Sequence, residues 1–148
     1  VLHHFASIGG VQTALMERMV TRLVTRILAV NEAAALGWGP QADIALFDAF
    51  EEHGAARLAA WLVMTGEAVR LSVVRQAVDD VVTRTLARLP TPPDRAVVED
   101  VALAGITMAL GAGLFGQTLS GLLGKPPGSA RAATLAALGA RAMQAGLG

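Results

Sequence analysis

Val101-Ala-Leu-Ala-Gly-Ile-Thr-Met-Ala-Leu-Gly-Ala-Gly-Leu-Phe-Gly-Gln-Thr-Leu-Ser-Gly-Leu-Leu-Gly124 contains no charged residue. A helix of that length and composition can cross a bilayer, so its reading decides the class of the whole chain. Glycines at 105, 111, 113, 116, 121 and 124 punctuate it, and Gln117, Thr118 and Ser120 make its second half polar. No basic or aromatic anchors flank both ends as a membrane belt would. The stretch therefore predicts a helix buried on nearly all sides by protein, with a membrane span as the alternative.

Working outward, Pro90-Thr-Pro-Pro93 ends the preceding segment, because proline lacks the donor a continuing helix needs. The uncharged helix is expected to start at about Asp94 and stop between Gly116 and Gly124. Lys125-Pro-Pro-Gly-Ser129 is the next break, with Ser129 as N-cap of a last helix running to about Ala145. Upstream, Val74, Ala77, Val78, Val81, Val82 and Leu86 form the core stripe of a helix over 67–89, in which Asp80 and Arg84 have the spacing of a helical ion pair. Leu58, Trp61, Leu62 and Met64 give the apolar body of a short helix over 55–65. Another short helix, over 42–53, places Ile44, Phe47 and Phe50 inward and Asp43, Asp48, Glu51 and Glu52 outward, with Gly54 as its stop. Residues 31–40 read as a connection containing Trp38. From Ser7 to about Val30, Val11, Leu15, Met16, Met19, Val20, Leu23, Val24, Ile27 and Leu28 recur at helical spacing, while Arg18, Arg22 and Arg26 line another, solvated face. No strand alternation or internal repeat appears, so the chain is expected to be all-α with six or seven helices.

The last two helices share a stripe of small residues. Gly105, Ala109 and Gly113 fall four apart, as do Ala112, Gly116 and Ser120; Ala132, Ala136 and Ala140 do the same on the final helix. Small residues at that spacing let helix backbones approach closely. The pair predicts a homodimer in which two helices from each copy form a four-helix bundle. The alternative is that both helices are the buried centre of a monomer.

Composition removes several classes. At 148 residues there is room for one ordinary domain, and 12 basic against 12 acidic residues leave no net charge to attract a polyanion. Cysteine is absent, which removes disulfides, thiolate metal sites and a cysteine nucleophile and fits a cytoplasmic location. No secretory signal opens the chain. Three histidines remain; His3 and His4 are adjacent and would point about 100° apart on a helix, so they do not clasp one metal. The Glu-x-x-His spacing of di-iron bundles is missing, and without strands there is no dinucleotide or phosphate loop. Asp79-Asp80 and Glu99-Asp100 read as surface charges. No metal, cofactor or enzymatic activity is expected.

The chain opens as Val1-Leu-His-His-Phe-Ala-Ser-Ile-Gly-Gly10, which reads as the last turn of one helix, a tight turn and the N-cap of the next, and so predicts a helix upstream of Val1. Leu2-His-His-Phe5, with Ser7 opening a long helix bearing Val11 and Leu15, resembles the junction of the TetR family of bacterial transcriptional regulators. There a tyrosine or similar residue, His-Phe, a glycine, a serine and a lysine join the recognition helix to the regulatory domain. Phe5 matches the phenylalanine that plugs the DNA-binding head, Ser7 the N-cap, and His4 the residue before that phenylalanine. Leu2 and Ile8 depart from the phosphate-contacting tyrosine and lysine, which removes two positioning contacts. The helix order that follows is similar to the family's effector-binding and dimerisation domain.

The resemblance implies a division into residues 1–6, the remnant of a recognition helix and turn carrying His3 and His4 as weak DNA contacts, and residues 7–148, the regulatory domain. It further implies a ligand-responsive regulator, most simply a repressor, that binds DNA through a helix-turn-helix ahead of Val1. A small apolar effector would sit between the middle helices and the first of the last pair. Phe47, Phe50, Trp61, Met64, Met108 and Phe115 are the large side chains suited to line such a cavity, and each also has a plain core reading. Trp38 could cap the cavity or cover a core edge; His53 could offer a polar handle or bond the last carbonyls of its helix. A dimeric helical interaction module without a ligand, and a small helical enzyme, are the other readings.

Overall fold

A computed structural model describes residues 14, 17–19, 21–22, 25–26, 28–30, 32–34, 37–51, 54–67, 69 and 72–147. The chain is all-α, with no strand among the described residues. Five helices have continuous bounds: α1 Pro40–Glu51, α2 Ala55–Met64, α3 Ser72–Arg88, α4 Arg95–Leu122 and α5 Ser129–Gln144. Every described position from Ala14 to Ala33 is helical as well. The junction motif with His3, His4, Phe5 and Ser7, and likewise Glu52 and His53, lies outside the described residues.

The 28 residues of α4 are the spine, packed against each of the other four helices. Close packing is possible because the contact positions on α4 are small. A Cβ on Gly105 would come within 3.1 Å of the Trp38 ring and 3.3 Å of Leu138 on α5. One on Gly113 would come within 2.7 Å of the Phe50 carbonyl oxygen and 2.9 Å of the Ala56 Cβ, which is where α1 hands over to α2. One on Gly116 would come within 3.2 Å of the Ala130 Cβ of α5, and Ala109 is fully buried. The stripe expected at a dimer interface is therefore spent largely inside the chain: Gly105, Ala109 and Gly116 are buried, and Ala112 and Gly113 are half-buried. Ala132, Ala136 and Ala140 are exposed on α5.

The expectation that α4 is buried on nearly all sides is corrected. Only 28% of its most apolar window is buried, although the helix is long and apolar enough to cross a membrane. One side takes the neighbouring helices, and the other leaves Leu103, Phe115, Leu119 and Leu122 exposed, continuous in sequence with exposed Leu123.

The break between α4 and α5 works differently from the expected N-cap. Gly128, in the left-handed conformation at φ 84°, is the cap residue, and Ser129 donates its hydroxyl to the Pro126 carbonyl at 2.7 Å. The orphan N–H of Ala130 is taken up by the buried Ser120 hydroxyl of α4 at 3.2 Å, so the cap comes from the preceding helix. Arg131 then ties α5 to α1, meeting Asp48 at 2.7 Å and Glu51 at 2.6 Å. On the other side of the spine, Arg95 joins Asp79 of α3 and Glu99 of its own helix in an exposed ion-pair cluster.

Gly113 and Gly111 make a paired test, because a Cβ on Gly111 meets nothing within 4 Å. Gly113→Ala should cost about 1–3 kcal/mol through overpacking, whereas Gly111→Ala should be neutral or stabilise by up to about 1 kcal/mol through helix propensity. Chemical denaturation of both variants measures the difference.

Candidate functional site

The inward stripe of α1 is Ala42, Asp43, Leu46, Phe47, Ala49 and Phe50. Asp43 and Ile44 thus exchange the places expected from residue type: Asp43 is 7% exposed and Ile44 48%. Spacing explains the exchange. Asp43, Leu46, Phe47 and Phe50 are related by steps of three and four along one helical face, and Ile44 stands off it.

A buried carboxylate needs partners. Asp43 accepts a hydrogen bond from the Trp38 Nε1 at 2.7 Å. The Trp38 main-chain N–H in turn donates to the Thr85 hydroxyl of α3 at 2.7 Å, and that hydroxyl donates to the Val81 carbonyl at 2.8 Å. Gly37 makes this approach possible. Its φ of 96° disfavours a side chain, and a Cβ there would lie 2.8 Å from the Thr85 Cα. The connection ahead of α1 is thereby pinned to α3 through its backbone and to α1 through its indole.

The Trp38 ring forms one wall of an apolar cavity of about 240 Å³. Leu46, Ala49 and Phe50 of α1 and Ala59 and Val63 of α2 form its second side. Val74, Ala77, Val78 and Val81 of α3 face Ile106 and Leu110 of α4, and Val30 closes the end nearest the N-terminal helical segment. Every described lining side chain is aliphatic or aromatic, and the one among them that carries a polar atom, Trp38, directs it to Asp43. An apolar cavity of about 150 Å³ takes up a benzene ring, so this one has room for a somewhat larger hydrocarbon-like body.

Of the six residues expected to line a cavity, Phe50 does so. Phe47 is fully buried in the core beside it, and Met108 is half-buried against the core on another face of α4. Trp61, Met64 and Phe115 face outward; Met64 is 79% exposed and Phe115 58%. The inward stripe of α2 is Ala55, Ala56, Leu58, Ala59 and Leu62, which leaves Trp61 and Met64 off it. Small and branched residues make the wall where bulky ones were expected, because only small residues leave a void between helices. Asp43 and Thr85 were missed. The signal available in the sequence was the position of Asp43 on the Leu46-Phe50 stripe, five residues after a tryptophan whose N–H needs a buried acceptor.

Burial pushes the Asp43 carboxyl up from 3.8 to about 6, and the Trp38 hydrogen bond pulls it back only in part. Arg131 is held above its ordinary value: burial acts to lower it, and Glu51 and Asp48 outweigh that effect. No group of three or more metal-ligating side chains occurs among the described residues. A polar cleft of about 190 Å³ beside Glu51 and Arg131 has both charges already engaged with each other.

Compared with known proteins, the chain matches no family model, no curated protein and no solved structure.

Because its folded-state value is raised, Asp43 contributes stability fully below about pH 4 and loses it as pH climbs through about 6. Asp43→Asn keeps an acceptor for Trp38 without the charge. It should raise Tm at pH 7.5 by about 3 °C, the shift produced by about 1 kcal/mol in a domain of this size, and leave Tm at pH 3.5 nearly unchanged. Thermal denaturation at the two pH values reads this directly. Thr85→Val removes the acceptor for the buried Trp38 N–H and should cost about 1–3 kcal/mol at both pH values.

Proposed function

We propose that this chain is the effector-binding and dimerisation domain of a ligand-responsive transcriptional regulator. The observation that carries the ligand half is the apolar cavity of about 240 Å³ lined by Trp38, α1, α2, α3 and α4. Such a space is a binding site for a small, neutral, apolar molecule. The regulatory half rests on the resemblance of residues 2–15 to the TetR-family junction, and it assigns DNA binding to a helix-turn-helix ahead of Val1.

In this reading the protein works in the cytoplasm as a homodimer. α4 and α5 of each copy form the four-helix bundle, with the exposed Phe115, Leu119, Leu122 and Met143 and the alanines 132, 136 and 140 supplying the contact. Large apolar side chains left in water on two adjacent helices favour such a partner. The same observation favours the second reading, a dimeric helical module without a ligand. Effector binding acts by population shift: it selects one arrangement of the helices around the cavity and thereby the spacing of the two DNA-binding heads.

Ala77 lies on the cavity wall and is buried, so Ala77→Leu places three more carbons in the void. The neutral fluorescent probe N-phenyl-1-naphthylamine should bind the wild type, and this variant should bind it at least about tenfold more weakly with Tm unchanged or higher. Equal binding by both proteins would remove the cavity as the site. Leu119→Glu should shift sedimentation from dimer to monomer; a wild type that sediments as a monomer would remove the bundle. The coding sequence ahead of Val1 tests the DNA-binding half, since about forty-five residues with a helix-turn-helix pattern are expected there.

A further inference from the structure

Trp38 touches more of the site than any other residue described. Its ring walls the cavity and rests on Gly105 of α4, its Nε1 binds Asp43 of α1, and its main-chain N–H binds Thr85 of α3. Four residues upstream, Ala34 is fully buried and continues the N-terminal helical segment through its N–H bond to the Val30 carbonyl at 3.0 Å, and Val30 itself lines the cavity. A molecule too large for the void as it stands presses on this indole, and through it on the connection to the N-terminal segment.

We propose that Trp38 is a latch on the cavity, released when Asp43 takes up a proton, so that apolar ligands bind more tightly in mildly acidic conditions. This inference rests on the ligand-binding reading above and names how that site is regulated. The ionised carboxylate holds the indole by a charge-assisted hydrogen bond, about twice as strong as a neutral one. Protonation weakens that hold and lets the ring swing aside to enlarge the void. By linkage, a ligand that prefers the released ring makes Asp43 hold its proton more tightly.

The burial of Asp43 places its protonation near pH 6, inside the range a cell or compartment can visit. Among the other described charges, Arg26 of the N-terminal segment is half-buried in a cleft it shares with Asp48. Arg57 of α2 and Arg141 of α5 are exposed, Arg131 of α5 is engaged by Asp48 and Glu51, and on α4 Arg95 pairs with Glu99 while Asp100 is exposed. On α3, beside Thr85, Arg84 donates to the Asp80 carbonyl at 3.1 Å and Arg88 is exposed. Burial and the Trp38 bond alone set the balance.

Fluorescence titration of the full chain with N-phenyl-1-naphthylamine at pH 7.5 and pH 5.0 tests the latch. The wild type should bind about tenfold more tightly at pH 5.0. Asp43→Asn, which mimics the protonated side chain, and Trp38→Phe, which keeps a ring and deletes the N–H, should each bind at both pH values with the wild type's pH 5.0 affinity. Wild-type affinity that is the same at both pH values would overturn the latch while leaving the cavity as a binding site, and so would a pH dependence that survives in both variants. Absence of probe binding at either pH would overturn the ligand-binding reading together with the latch.

Discussion

One indole sets the geometry of the region that matters most. A buried tryptophan must find an acceptor for its N–H, and the acceptor here is a carboxylate that is itself buried. Each group satisfies a need of the other, and neither could sit in the core alone without a penalty of a few kcal/mol. The same residue's backbone fixes the approach of the connection to α3, and its ring lies close against α4 at Gly105, where a Cβ would come within 3.1 Å of it. The cavity is what remains when a large planar ring holds three helices at a distance that the small side chains of α2 and α3 do not fill.

The second constraint is the division of labour along α4. Its small residues face inward, where they admit the backbone of α1 at Gly113 and the side chains of α5 at Gly116. Val98, Val101, Ile106 and Leu110 face inward as well, and the large residues left outward lie mostly in its second half. Phe115, Leu119 and Leu122 stay exposed among the described residues, and α5 adds Met143 to the same exposed set. A helix whose second half leaves large apolar side chains in water presents an unpartnered apolar face. That face underlies the dimeric reading.

Much of the architecture was legible from punctuation. Pro90 to Pro93 precede α4 and the left-handed Gly124 follows its end, and the start and end of α5 lie within a residue or so of expectation. What the residue types could not convey was direction. Residue type points Ile44 inward and Asp43 outward, whereas the stripe through Leu46 and Phe50 sets the opposite order. Trp61, Met64 and Phe115 were chosen for bulk, and bulk is no guide to a void: Ala59, Ala77, Val78 and Val81 line it because they are small. The stripe of small residues on α4 was recognised correctly as a close-packing surface, but spacing alone does not say whether the close neighbour belongs to the same chain. Contacts between Trp38 and Thr85, 47 positions apart, depend on tertiary placement and have no local signature.

The claim at the centre of this account is that Trp38 is held by Asp43 inside the core, and it can be observed without any ligand. The chain has two tryptophans, Trp38 buried and Trp61 exposed, so an amide-type ¹H–¹⁵N spectrum carries two indole signals. The account predicts one rapidly exchanging indole N–H from Trp61 and one protected N–H from Trp38 that shifts with a midpoint near pH 6, the shift vanishing in Asp43→Asn. Two rapidly exchanging indoles, or a protected Trp38 signal that does not move between pH 4.5 and pH 7.5, would contradict it.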